Sequence, residues 1–179
     1  MKWKAIVQEV VRIMRIHIIG GCGSGKTYIA KRLSKELGIE HYQTDNLVWD
    51  RSDPNNHIKY PKSIRDELLQ NIILQDSWIV EGVHQEWVHS SFAEADYIFI
   101  IKPSLFIRNR RTLTRFIKTR LGMEERNYTQ DIKNLLVMFR WNRDFERKNI
   151  YEVMEATSRF AEKRHIVKSN MEILKLLNI

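Results

Sequence analysis

One octapeptide constrains this chain more than any other feature. Residues Gly20 to Thr27 are Gly-Gly-Cys-Gly-Ser-Gly-Lys-Thr, which matches the pattern G-x-x-x-x-G-K-[ST] at every position. Glycine makes up only about 7% of average sequences, so a chance match in a chain of this length has a probability on the order of one in a hundred or less. Such a loop curls so that successive backbone N–H groups point at phosphate oxygens. The motif therefore predicts a phosphate-binding loop.

The residues on both sides of the loop have the required pattern. The motif needs a strand before it and a helix after it. Residues 15–19 have the pattern of a short buried strand, and residues 29–37 carry the apolar period of a helix that Gly38 stops. Lys26 is then expected to bridge the β and γ phosphates of ATP, and the Thr27 hydroxyl is the expected magnesium ligand. The residues expected to bind the nucleotide in this loop are Gly20, Gly21, Cys22, Gly23, Ser24, Gly25, Lys26 and Thr27.

The rest of the chain alternates strand and helix patterns. Further strands are predicted at 39–44, 78–83, 95–101 and 165–167, and further helices at 62–74, 105–121, 129–161 and 171–177. This alternation implies right-handed crossovers and a mostly parallel five-stranded sheet flanked by helices. We therefore predict an α/β chain with the three-layer P-loop NTPase fold. In the helix at 129–161, the residues expected to pack are Leu135, Leu136, Phe139 and Trp141.

The residues before the first strand form a separate pattern. Apolar residues at 1–13 recur at steps of three and four, which predicts an N-terminal amphipathic helix ahead of a single domain at 14–179. No run of residues approaches the 18 apolar positions of a spanning helix, and Cys22 is the single cysteine. Because such an apolar run is missing, we expect no membrane role. Because one cysteine cannot form an internal disulfide, we expect a cytoplasmic protein.

The positive charge is concentrated in one segment. The formal net charge is +8, and the stretch from Lys102 to Arg126 holds eight basic residues against Glu124 and Glu125, a local excess of six. Such a patch attracts nucleotide phosphates or nucleic acid. The alternative is a solvated helix face, which usually mixes both signs.

Other motifs narrow the class of phosphate-loop protein. A regulatory GTPase would need an N-K-x-D signature, which is absent, and an ABC or AAA engine would need a longer chain with its own signatures. A small-molecule kinase remains. The stretches RIHIIGGCGSGKT, HYQTDNLVWD, WIVEGVHQEW and RNRRTLTRF resemble the adenylate-kinase-like P-loop family and, more narrowly, the bacterial DNA topology modulation (FlaR-related) proteins. The resemblance extends from Met14 to the C-terminus.

The resemblance implies a nucleoside- or nucleotide-kinase-like enzyme that uses ATP and Mg²⁺. It also implies an arginine-bearing lid at about residues 104–128. An AMP acceptor is not favoured, because the third strand is followed by E-G-V-H where the adenylate kinases have D-G-F-P-R.

Two acids follow the second and third predicted strands, where the carboxyl ends of parallel strands converge on the site. They are Asp45 and Glu81. Related kinases carry an acid at the end of the second strand, so Asp45 is expected to bind the acceptor and act in catalysis. Glu81 stands near the position where a magnesium-binding acid is expected, so it is a candidate magnesium ligand and a second candidate for binding the acceptor. Either acid could instead cap a helix or turn, and which of them is the base is left open.

Two tryptophans lie a few residues beyond these acids. The rings of Trp49 and Trp87 could stack on a planar acceptor such as a nucleobase. The alternative is that both are core residues.

Three arginines share one side of the helix after the fourth strand. Arg108, Arg111 and Arg115 lie at i, i+3 and i+7. Facing the cleft, Arg108 would bind the nucleotide, while Arg111 and Arg115 would neutralise charge on the transferring phosphoryl group.

Two functional classes follow from these patterns. The first is an ATP-dependent phosphotransferase, monomeric or homodimeric, acting on a small molecule such as a nucleoside or nucleotide. The second is a nucleotide-binding regulator that contacts DNA and affects its topology. Duplex binding needs cations spread over a broad face, so the clustered charge favours the first class.

Overall fold

The computed structural model describes residues 13–50, 58–123 and 131–179. The N-terminal helix predicted at 1–13 lies outside the described residues except for Ile13, and so does the end of the predicted lid, 124–128.

Five parallel strands form the central sheet. This sheet contains β1 Arg15–Gly20, β2 His41–Gln43, β5 Trp78–Gly82, β6 Tyr97–Ile101 and β7 Arg164–Val167. Two further short strands are β3 Trp49–Asp50 and β4 Ile58–Lys59. The sheet order is β2-β5-β1-β6-β7, while β3 and β4 form a separate antiparallel hairpin. All four pairings of the main sheet are parallel, which confirms the predicted α/β architecture.

Helices cover both faces of this sheet. They are α1 Lys26–Leu37, α2 Thr44–Val48, α3 Lys62–Ile73, α4 His89–Glu94, α5 Leu105–Arg120, α6 Ile132–Asp144, α7 Ile150–Ala156 and α8 Asn170–Leu177. A π-helical segment, Phe145–Asn149, joins α6 to α7, and a 3₁₀ segment, Ser158–Lys163, precedes β7. Within the described ranges, no helix is long and apolar enough to cross a membrane.

The two sheet faces bury separate apolar clusters. Ile19, Val80 and Ile100 point to one cluster, and Ile16 and Phe99 point to the other. Central strands of a parallel sheet are covered on both faces and are therefore continuously apolar, which explains why the strand patterns were visible in the sequence.

One polar side chain interrupts the core strand β1. His17 is fully buried, and its Nδ1 lies 2.8 Å from the Ser91 hydroxyl. Burial lowers the pKa of His17 to about 3, so this imidazole is neutral in the folded protein.

The structure corrects several predicted elements. The second strand is shorter than predicted, because Thr44 begins α2, and neither the β3–β4 hairpin nor α4 was predicted. The predicted helix at 129–161 is interrupted by the π-helical segment. The packing prediction was wrong for Leu136 and Trp141, which are 60% and 55% exposed. The buried face runs instead through Leu135, Met138, Asn142 and Phe145.

Candidate functional site

The phosphate loop connects β1 to α1, as predicted. Gly23 and Gly25 have φ angles of 67° and 99°, which favour glycine at these positions. Lys26 is the first residue of α1, and its Nζ lies 3.5 Å from the Gly21 carbonyl oxygen. The loop therefore combines a helix N-terminus with a lysine folded back over it, an arrangement suited to an anion.

The hydroxyl after this lysine meets an acid from the neighbouring strand. Thr27 Oγ1 donates a hydrogen bond of 2.6 Å to Glu81 Oε1. Glu81 lies within β5 rather than after it and is 2% exposed, with His41 Nε2 3.8 Å from the same oxygen. β5 pairs directly with β1, and this pairing brings the two side chains together.

The donor atoms of this pair are of the type that suits magnesium. Mg²⁺ prefers one or two oxygen ligands from the protein together with phosphates and water. Thr27 and Glu81 supply two such oxygens beside the loop. Among residues 13–50, 58–123 and 131–179, no cluster of three or more His, Cys, Asp or Glu side chains could hold a metal ion.

Helix α5 lies against the back of the loop. The Nη1 of Arg111 donates to the Ser24 carbonyl oxygen at 3.0 Å, and the Gly23 carbonyl oxygen lies 3.5 Å away. Arg115 is half-buried one turn further along α5. Arg111 thus reaches the loop backbone, and its action on a transferring phosphoryl group stays a prediction, as does that of Arg115.

Arg108 has a different environment from the other two arginines. Its side chain is fully buried, its Nη2 lies 2.5 Å from Glu146 Oε2, and its guanidinium lies over the Phe145 ring. Burial lowers the pKa of Arg108, and the Glu146 carboxylate opposes that shift. The sequence predicted that Arg108 faces the cleft and binds the nucleotide, whereas the structure buries its side chain against Glu146 and Phe145.

Asp45, the predicted acceptor-side acid, lies in the first turn of α2. The Asp45 carboxylate is half-exposed, and its Oδ1 lies 3.4 Å from the Nε2 of His84, a residue of the E-G-V-H stretch. The two predicted acids are therefore in different settings, since Glu81 is buried against the loop while Asp45 is open to solvent.

Both tryptophans carry a cation on one ring face. The Nζ of Lys59 lies 4.8 Å from the Trp49 ring centroid, and the Arg65 guanidinium lies 4.4 Å from that of Trp87. His84 also contacts Trp87, with ring centroids 5.4 Å apart. Stacking of an acceptor on these rings stays a prediction, and it would have to use the remaining faces.

The sequence analysis did not identify several polar residues that lie near the site. Asn170 donates from Nδ2 to the Gly25 carbonyl oxygen at 3.3 Å, and Glu146 lies within the π-helical segment. Asn142 is fully buried in the middle of an apolar helix face. A polar residue at a core position is the one signal that would have drawn attention to Asn142.

The fold and the loop together define a P-loop kinase-like domain. A family model described as an AAA domain (AAA_18) matches residues 16–133, more than half of the chain. The chain therefore belongs to this family. The sequence analysis excluded the AAA class because the chain is short. That exclusion was wrong as far as family membership goes, because the AAA domain model matches a single domain of this size.

Shikimate kinases are similar to this chain in sequence and fold. Shikimate kinases of the Corby and Lens strains of Legionella pneumophila are 36% identical to it over 44 residues, which is 25% of this chain and 25% of each relative. The structure of a shikimate kinase from Acinetobacter baumannii in complex with shikimate superposes with a TM-score of 0.60. That match is 14% identical and covers 93% of this chain and 94% of the other, so it supports the fold alone.

Proposed function

We propose that this protein is an ATP-dependent phosphotransferase that moves the γ-phosphoryl group of ATP to a hydroxyl of a small-molecule acceptor. The observation that carries the proposal is the hydrogen bond between Thr27 and the buried Glu81 beside a complete phosphate loop. A phosphate cradle, a lysine and an oxygen pair for the metal are the parts that phosphoryl transfer requires.

On the nucleotide side, the backbone N–H groups of residues 20–27 and the Lys26 ammonium would bind the phosphates. Thr27 and Glu81 would hold Mg²⁺, which neutralises phosphate charge when bound. Arg111 and Arg115 would stabilise charge on the transferring group.

On the acceptor side, Asp45 would accept the proton of the acceptor hydroxyl. It is exposed enough to reach a bound molecule, and it lies in the helix that directly follows β2 at the carboxyl-end edge of the sheet, the edge where the loop also leaves β1. Trp49 and Trp87 would border the same space. The acceptor class is a small molecule with a free hydroxyl, for which nucleosides, nucleotides and shikimate are the first compounds to test.

The test is a screen of acceptors with magnesium ATP in which ADP release is followed above the hydrolysis background. We expect at least one hydroxyl compound to raise ADP release, with a phosphorylated product visible by mass spectrometry. The Lys26→Ala variant is the matched control and should lose the response. ATP binding without transfer to any acceptor would contradict the proposal.

The DNA-binding alternative has one supporting feature, the exposed cations Arg110, Lys118 and Arg120 on α5. The name of the matched family and the names of the similar shikimate kinases do not mention DNA. Duplex binding with a steep salt dependence, measured beside the acceptor screen, would favour this alternative.

A further inference from the structure

The second residue of the phosphate loop sits in a closed environment. An ideal Cβ built on Gly21 would lie 2.8 Å from Arg108 Nη1, 3.1 Å from Phe145 Cγ and 3.3 Å from Asn142 Oδ1. We call Arg108, Asn142 and Phe145 the Gly21 cage. These three residues come from α5, α6 and the π-helical segment, so the loop backbone at Gly21 packs against groups from three elements.

The cage depends on a buried charge. Arg108 is fully buried, and its Nε and Nη1 have no hydrogen-bond partner among the described groups. A buried arginine is tolerable only when a counter-charge is close. Glu146 is that counter-charge, since its Oε2 lies 2.5 Å from Arg108 Nη2 and its Oε1 lies 3.1 Å from Lys102 Nζ.

Glu146 reaches this position from an unusual backbone. It is the second residue of the π-helical segment, and π-helical turns within α-helices occur frequently at functional sites. The neighbouring Phe145 belongs to the cage and packs against the Arg108 guanidinium. The segment therefore presents a ring and a carboxylate to the same arginine.

We propose that Glu146 is a positioning residue for the phosphate loop: by pairing with Arg108 and Lys102 it holds the Gly21 cage in place, and the cage holds the loop in its nucleotide-binding shape. Glu146 does not itself contact ATP. The inference rests on the proposed nucleotide-binding function and adds a residue to it that no sequence motif marks.

The second polar member supports this role of the cage. Asn142 Nδ2 donates to Asn109 Oδ1 at 3.0 Å and so joins α6 to α5, while its Oδ1 faces Gly21. Two helices are thus tied together directly behind the loop. Loosening that tie would free the loop backbone without removing any phosphate ligand.

The test compares Glu146→Gln with Glu36→Gln in the full-length protein. Glu36 pairs with Arg32 on the surface of α1 at 2.8 Å and provides a matched loss of one carboxylate. ATP and adenosine affinities are measured by calorimetry on folded protein. We expect Glu146→Gln to weaken ATP binding about tenfold, by comparison with the lower end of the loss seen when a residue that orients a metal ligand is removed. The adenosine affinity of Glu146→Gln should be unchanged. The Glu36→Gln variant should keep the wild-type affinity for both ATP and adenosine.

A second measurement separates positioning from simple stabilisation. Arg108→Met should lose as much ATP affinity as Glu146→Gln. The double variant that carries both substitutions should lose no more than either single variant, because the two side chains act as one unit. Glu146→Asp should restore part of the affinity. Unchanged ATP affinity in folded Glu146→Gln would overturn the inference and leave the proposed function standing. A wild-type protein that binds no ATP would overturn the proposed function itself.

Discussion

The predicted phosphate side and the predicted acceptor side of the site are built differently. On the phosphate side, Glu81 and Arg108 are buried, and each has a partner held by a rigid element. On the acceptor side, Asp45 and His84 form a partly exposed pair, with side chains 53% and 32% exposed. Buried pairs fix geometry, whereas exposed pairs are screened by water and contribute little. The predicted nucleotide side is therefore fixed by buried pairs, and the predicted acceptor side is open to solvent.

The largest expected effect is on the phosphate side. Lys26→Ala should abolish tight ATP binding and turnover, because the lysine provides the charge that meets the β and γ phosphates. The fold should persist, since Lys26 is not part of either apolar core. Calorimetric titration with ATP and circular dichroism check the two halves of this prediction. Wild-type binding in the variant would show that the loop does not bind nucleotide.

The next effect concerns Arg111 and Arg115. Replacing either by Ala should lower the rate constant by up to about a thousandfold, with only a modest change in ATP affinity, if the arginines act in the transition state. A Lys replacement should recover only part of the rate, because a point charge lacks the forked donor geometry. The measurement is kcat and KM for both variants.

Since Arg111 also bonds to the Ser24 carbonyl oxygen, its loss should raise the KM for ATP more than the loss of Arg115 does. Unchanged phosphotransfer in both variants would remove these arginines from the mechanism. Weaker DNA binding with a shallower salt slope in the same variants would favour the regulatory alternative.

The two acids provide a direct test of the contrast between the sides. Asp45→Asn should lower kcat about a hundredfold if it is the general base, with the dependence on Mg²⁺ unchanged. Glu81→Gln should instead raise the Mg²⁺ concentration needed for turnover, because Glu81 accepts a hydrogen bond from the Thr27 hydroxyl, the proposed magnesium ligand. Magnesium titrations of both variants separate the roles. A shifted magnesium dependence in Asp45→Asn would mean that the assignments are exchanged.

Stability should follow the same division. Glu146→Ala removes the carboxylate that pairs with both the buried Arg108 and Lys102, so the free energy of unfolding should fall by about 3 kcal/mol. His84→Ala breaks an exposed pair with Asp45 and a tilted ring contact with Trp87, and it should change the free energy of unfolding by about 1 kcal/mol or less. Urea unfolding of both variants gives the comparison. Equal losses would mean that the acceptor side is as tightly built as the phosphate side.

The smallest effect is expected outside both sides. Deleting Met1 to Ile13 should leave ATP affinity unchanged, because β1 and the loop begin after this segment. Titration of the truncated protein with ATP is the measurement. Loss of binding in a folded truncation would place the N-terminal segment in the site.

The sequence by itself determined the local part of this protein. The phosphate loop, the apolar runs of β1, β5 and β6, and the helix stop at Gly38 were all visible, because strand burial and loop chemistry depend on neighbouring residues. The parallel sheet followed from the alternation of strands with helices. The short α2 and α4 were not visible, since segments this brief carry too few apolar repeats.

Only the tertiary structure decided which distant side chains meet. The helical spacing of Arg108, Arg111 and Arg115 showed that they share one side of α5, but not that Arg108 would lie buried against Glu146 while Arg111 reaches Ser24. The pairing of His84 with Asp45 joins two chain segments that no local pattern connects. A face is set by local periodicity, but its partner is set by how the sheet and helices pack, and that packing depends on the whole chain at once.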